Sequence, residues 1–127
     1  MVSMETENAI LGRRSIRSFL EKPVGKEKII KVLDAARLAP SARNVQPWHF
    51  IAVQEKGNRE KVVATEPIFN LWMRDAPVLI VCCAQKGNKY SHIDLGLSIE
   101  NMLLMATDLG LGGTTCAVHG SEKLLPP

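Results

Sequence analysis

Apolar and polar positions along the chain repeat with two different periods, and the changes of period mark its elements. A short run from Met4 to Gly12 predicts a first helix, with Ser3 placed to cap it. After Pro23 and Gly25, the apolar residues Ile29, Val32, Leu33 and Ala36 fall at i, i+3, i+4 and i+7, the spacing of one buried helix face. Lys26, Lys28, Lys31 and Asp34 lie largely off that stripe, and Pro40 stops the helix. Ser41–Pro47 is polar and irregular. Trp48–Val53, rich in aromatic and β-branched residues, predicts a strand. A short helix is expected over Asn58–Ala64. Asp75-Ala76-Pro77 introduces the apolar run Val78–Cys83, whose lack of alternation predicts a strand buried on both faces.

The longest predicted helix runs from Ser91 to Leu109. Leu95, Leu97, Ile99, Met102, Leu103, Leu104, Met105 and Leu109 cover most of its circumference, so it must be buried on several sides. So short a chain has few elements with which to surround it, which implies a subunit partner. Gly110 and Gly112 end this helix. Thr114–Val118 is expected to form a last strand, and Leu124–Pro127 nothing regular. The order helix, helix, strand, helix, strand, long helix, strand describes an α+β architecture.

Composition narrows the class. The 127 residues are 46% hydrophobic and 23% charged, which excludes a disordered or low-complexity chain and fits one domain over residues 1–127. The longest apolar run, Ala76–Ala84, is far shorter than the ~20 residues of a membrane helix. No basic-then-apolar leader precedes it. A net charge of +3 permits an anionic ligand but lacks the bias of a nucleic-acid binder, and 5% aromatics make no stacking platform. Cys82, Cys83 and Cys116 are an odd set without framework spacing, which reads as free thiols in a reducing, cytoplasmic setting.

Three clusters could carry chemistry. Arg13-Arg14-Ser15-Ile16-Arg17 gathers guanidiniums and a hydroxyl beside a helix end, a donor set suited to phosphate oxygens; a solvated basic turn is the plainer reading. Ala39–Trp48 packs hydroxyl, guanidinium and amide groups into one loop, able to face a planar heteroaromatic ring or merely to satisfy its own backbone. Gly110-Leu111-Gly112-Gly113-Thr114-Thr115 follows a helix and opens a strand, the reverse of a phosphate loop, so its glycines are read as a helix cap. Neither His49, His92 and His119 nor the cysteines show metal-ligand spacing. Cys116 and His119, three apart on a strand, do not share a face as a nucleophile and base would.

Arg13–Phe19 together with Pro40-Ser41-Ala42-Arg43-Asn44-Val45-Gln46-Pro47-Trp48-His49-Phe50-Ile51 resembles the nitroreductase family of FMN-dependent oxidoreductases. Asp75-Ala76-Pro77 and the helix with Glu100-Asn101-Met102-Leu103-Leu104 closing in Leu109–Gly112 extend the resemblance from about Asn8 to Val118. It implies a central mixed or antiparallel sheet flanked by helices and an intertwined homodimer, with FMN at the subunit interface. Carried over by position, Arg13, Arg14 and Ser15 are implied to contact the FMN phosphate and ribityl chain, and Arg17 to be the cation at the pyrimidine edge. Pro40, Ser41, Ala42 and Asn44 are implied to form a ring-contacting loop that partly serves the partner's flavin. Gln46 and Asn70 are carried over as further contacts, and Thr115, Cys116 and Ala117 as the strand whose backbone meets the ring. No side-chain nucleophile is then required. NAD(P)H would supply a hydride to flavin N5, and a nitroaromatic, quinone or similar acceptor would take it up in a ping-pong cycle.

The chain departs from the family pattern after Val118. Family members add a further strand and an arm that wraps the partner and supplies a basic residue to the phosphate; here Lys123 is the only late cation. Thr115 stands where a large aromatic is common. Two expectations follow: an active FMN-dependent NAD(P)H oxidoreductase, or a shortened relative that binds flavin or dimerises without efficient turnover. Other flavin reactions on the same fold, such as enone reduction or dehalogenation, stay open, because fold does not fix substrate.

Overall fold

A computed structural model describes residues 3–65 and 70–117. Its elements are α1 (Thr6–Gly12), α2 (Lys26–Arg37), β1 (Trp48–Val53), α3 (Lys56–Val63), β2 (Leu79–Ala84) and α4 (Ser91–Asp108), with short 3-10 turns at Ala42–Asn44 and Leu71–Asp75. The strands pair antiparallel, Trp48 opposite Ala84 and Val53 opposite Leu79. The α+β order therefore stands on the elements themselves.

The sheet separates two apolar clusters, as the period-2 geometry of strands requires. On one face Phe50, Ile80 and Cys82 pack against Val32, Ala36, Met102, Ala106 and Leu109 of α2 and α4. On the other, Val53, Leu79 and Val81 join Val62, Val63 and Met73, with Trp72 and Cys116 against them. Two long-range polar ties fix α2 against α4: Asn101 Nδ2 donates to the Ala35 carbonyl at 3.0 Å, and Lys28 Nζ to the Leu109 carbonyl at 3.1 Å. The latter carbonyl lies at the C-terminal end of α4, where a cation is also favoured by the helix dipole.

Several expectations need correction. The first helix starts at Thr6, with Glu5 rather than Ser3 in the N-cap position and no side-chain cap. The second ends at Arg37, before Pro40 can act on it. The third begins earlier, at Lys56, because the Glu55 carboxylate accepts from the Gly57 and Asn58 N–H groups and caps it. Those bonds hold the Glu55 carboxyl below its ordinary range. β2 is half-buried along its length rather than buried on both faces, since the described residues cover its two sides only partly. Residues 114–117 make no regular strand. Only Gly113 pairs, in a single parallel bridge to Ser15. Val118 and the positions after it, including His119 and Lys123, lie outside the described residues.

α4 also differs from its apolar appearance. Its fully buried positions are Ser91, Asp94, Ser98, Met102 and Ala106, a narrow stripe whose first half is small and polar. Ile93 and Leu97 are exposed. The helix ends as its glycines predict: Gly110 takes a left-handed φ of 74°, the Leu111 N–H reaches the Ala106 carbonyl at 2.8 Å, and the Gly110 N–H reaches that of Thr107 at 3.1 Å. This is a Schellman cap. Among the described residues, no helix is long and apolar enough to cross a membrane.

Candidate functional site

The cationic segment leaves α1 and runs beside the chain that follows α4. The Ile16 N–H donates to the Gly113 carbonyl at 3.1 Å, which ties the middle of the Arg13–Arg17 segment to the chain just before Thr115, Cys116 and Ala117. The approach is close. A Cβ on Gly112 would stand 3.0 Å from Ile16 Cγ2, so any side chain there must push Ile16 aside by a few tenths of an ångström. Gly113 in turn rests on Leu103 of α4. Asn70 begins the Leu71–Asp75 turn, and the same neighbourhood is tied together by Phe19 against Trp72, with ring centres 6.2 Å apart, and by Cys116 Sγ 3.7 Å from Met73 Sδ.

The three arginines are differently committed. Arg14 Nη1 donates to the Leu11 and Arg13 carbonyls, both at 2.8 Å, and so finishes α1. Arg13 Nε lies 3.7 Å from Glu100 Oε1, a loose and partly exposed ion pair. Arg17 is exposed and makes no hydrogen bond or ion pair among the described residues. Arg13, Arg17 and the Ser15 hydroxyl therefore offer a cationic, donor-rich set. Its chemistry fits a phosphate dianion or another anionic group.

The loop Ser41–Gln46 is built elsewhere. Arg43, Asn44 and Gln46 all hold positive φ, at 56°, 55° and 54°. Non-glycine residues rarely adopt this conformation, and such strain persists only where the surroundings over-determine it. Inside the loop, the Gln46 N–H donates to Ser41 Oγ and the Asn44 N–H to the Ser41 carbonyl, both at 2.9 Å. From outside, Asp94 of α4 accepts from the Ala42 N–H at 3.3 and 3.2 Å through its two carboxylate oxygens. Pro40, Asn44 and Gln46 are exposed, and Ser41 and Ala42 half-exposed.

The two groups meet α4 on opposite sides. Asp94 and Leu103 are nine positions apart, about two and a half turns and ~14 Å along the axis. Among the described residues, no hydrogen bond or ion pair links residues 41–46 to residues 13–17. A ligand that touched both on one chain would have to reach around a helix body of ~10 Å. A cleft of about 710 Å³ does open between Pro23, Arg59, Arg74 and Asp75, but it is lined by neither group. The geometry of donors outweighs cavity size in placing the site, since Arg59 is already spent on the Gln54 and Ala76 carbonyls.

Sequence reasoning missed Asp94 and Glu100. Asp94 had a signal: with Ser91 and Ser98 it makes a polar i, i+3, i+7 line on an apolar helix, the place where a buried partner is needed. The Cys82 thiol of β2 does not offer itself as a nucleophile. Burial, and then the neighbouring Cys83, push the Cys82 thiol up to about 11.

Comparison with known proteins matches the chain to one family. A family model described as Nitroreductase family matches residues 10–66 and 58–123. A Methanothermobacter thermautotrophicus protein, provisionally named NADH dehydrogenase/NAD(P)H nitroreductase, is 39% identical over 94% of this chain. The chain spans 64% of that relative's length. A crystal structure with the same provisional name from Parabacteroides distasonis superposes with a TM-score of 0.86 at 32% identity, covering 95% of this chain and 78% of that one. An FMN-dependent nitroreductase from Clostridium difficile superposes at 0.78 with 33% identity, over 84% of this chain and 62% of that one.

Proposed function

Because this chain belongs to the nitroreductase family, we propose that it is an FMN-dependent oxidoreductase that works as a homodimer. It takes reducing equivalents from NAD(P)H and delivers them to a nitroaromatic, quinone or similar small acceptor in a ping-pong cycle. The observation that supports this reading is the hydrogen bond from the Ile16 N–H to the Gly113 carbonyl, which ties the segment carrying Ser15 and Arg17 to the chain just before Thr115–Ala117. The names of the similar proteins, which include an FMN-dependent nitroreductase and an FMN reductase, support the cofactor.

When bound, FMN supplies two-electron hydride chemistry at its N5. The residues of this chain bind, orient and polarise. Arg13 and Ser15 hold the phosphate end, with Arg13 exchanging its loose contact to Glu100 for a doubly charged partner. Arg14 shapes the turn through Nη1, which donates to two carbonyls, and its remaining N–H groups can still add charge-assisted donors toward the phosphate. Arg17 is a permanent cation that stabilises negative charge on the ring system. The loop Ser41–Gln46 presents amide and hydroxyl groups from the far side of α4, so it serves the flavin of a second copy and the site is complete only in the dimer.

The test is direct. Purified protein is expected to be yellow or to take up added FMN, and anaerobic NAD(P)H is expected to bleach it. Colourless protein that ignores added FMN would sink the reading. Yellow protein that NAD(P)H fails to bleach would instead mark a flavin-binding relative without turnover.

A further inference from the structure

We propose that Asp94 is a positioning residue: by accepting from the Ala42 N–H, its buried carboxylate holds the loop Ser41–Gln46 in the strained form that meets flavin. This rests on the flavin reading above.

Asp94 is only 3% exposed, on the buried stripe that farther along α4 is occupied by Met102 and Ala106. A carboxylate at such a position is costly unless it is paired. Its place in the first turn of α4 offsets part of that cost through the helix dipole, but the dipole does not explain where the oxygens go. Both reach one backbone amide 52 residues earlier in the chain.

The loop needs that bond. Three of its residues are non-glycines in the left-handed region, and its other bonds, from Gln46 and Asn44 to Ser41 and from Val45 to Ala42, close only upon the loop itself. Among the described residues, the Asp94–Ala42 contact is the hydrogen bond that fastens residues 41–46 to the rest of the fold. The next tie is beyond the loop, where the Gln85 N–H donates to the Pro47 carbonyl at 2.8 Å. A loop released at Ala42 relaxes toward ordinary backbone, and apparent ligand affinity falls with the fraction of molecules still in the held form.

The experiment compares wild type, Asp94→Ala and Asp94→Asn as full chains. FMN affinity is read by flavin fluorescence quenching, helix content by circular dichroism, and the Ala42, Asn44 and Gln46 amides by hydrogen exchange. Asp94→Ala is expected to keep its helices, to lose protection at these amides, and to bind FMN about tenfold or more weakly. Asp94→Asn keeps a carbonyl acceptor at the same reach and is expected to stay within about threefold of wild type. Ala42→Pro removes the donor instead and replaces Asp94→Ala if that variant does not fold; the extended Ser41 backbone tolerates a following proline. Wild-type affinity in Asp94→Ala or Ala42→Pro overturns the proposal, as does an Asn variant as weak as the Ala variant. Wild-type protein that takes up no FMN defeats the flavin reading instead. The amide protection then decides the positioning role alone, and equal protection in wild type and Asp94→Ala overturns it.

Discussion

The segment Arg13–Arg17 and the loop Ser41–Gln46 both lie against α4, but they are held by opposite means. The first is pinned by backbone: one bridge to Gly113, a close approach at Gly112, and an arginine turned back on its own carbonyls. Its remaining charges are left outward and loosely engaged. The second is pinned by a buried side-chain charge and stores backbone strain, with its backbone amides bonded within the loop and the Asn44 and Gln46 side chains exposed. A segment that must grip a mobile anion keeps its cations uncommitted. A segment that must present fixed groups to a ring commits its backbone beforehand.

The contrast can be broken at either end. Arg13→Ala removes a charge-assisted contact and is expected to weaken FMN binding by ~1.5–3 kcal/mol, about 10- to 150-fold, without changing protection in the 41–46 loop. Titration of both readouts on one variant checks this. Gly112→Val forces a side chain into Ile16 and is expected to cost about 1–3 kcal/mol in urea unfolding. Because it strikes the bridge, it should also weaken FMN binding, whereas the same change at Gly87, in open space but at a positive φ, should affect stability only. Asn44→Val is expected to destabilise by about 1 kcal/mol and Asn44→Gly to stabilise by a few tenths, since only the former resists a φ of 55°. Thermal melts of the pair separate strain from lost contact. The smallest effect is expected from Glu100→Gln. Freed of its partner, Arg13 should bind FMN about twofold more tightly at low salt, and the gain should vanish at high salt.

Legibility in the sequence followed the range of the interactions. The α2 stripe is readable because Ile29, Val32 and Ala36 report a local period, and all three are buried. Trp48–Val53 is readable because its residue types favour a pleated surface, and β1 has those bounds. The glycine stop after α4 is readable because a Schellman cap is a short-range device. What failed depends on distant partners. A strand at Thr114–Val118 looked plausible by composition, yet pairing is set by neighbours, and Gly113 alone finds one among the described residues. Positive φ at Arg43 and Gln46 leaves no mark in residue type, unlike at Asn44, and the bond to Asp94 comes from 52 positions away. The resemblance drew attention to Arg13–Arg17 and Ser41–Gln46 but not to how the fold holds them.

The uneven stripe of α4 has a consequence for how the molecule comes apart. Its C-terminal half is fastened by Met102, Ala106 and Leu109 in the larger apolar cluster, while its N-terminal half relies on Ser91, Asp94 and Ser98. Apolar burial is spread over many contacts and gives way all at once. Polar fastening at Ser91, where the hydroxyl meets the Gln85 carbonyl, and at Asp94 is lodged in single bonds. Partial opening therefore starts at the first turns of α4 and releases the 41–46 loop while the α2–α4 core is still intact.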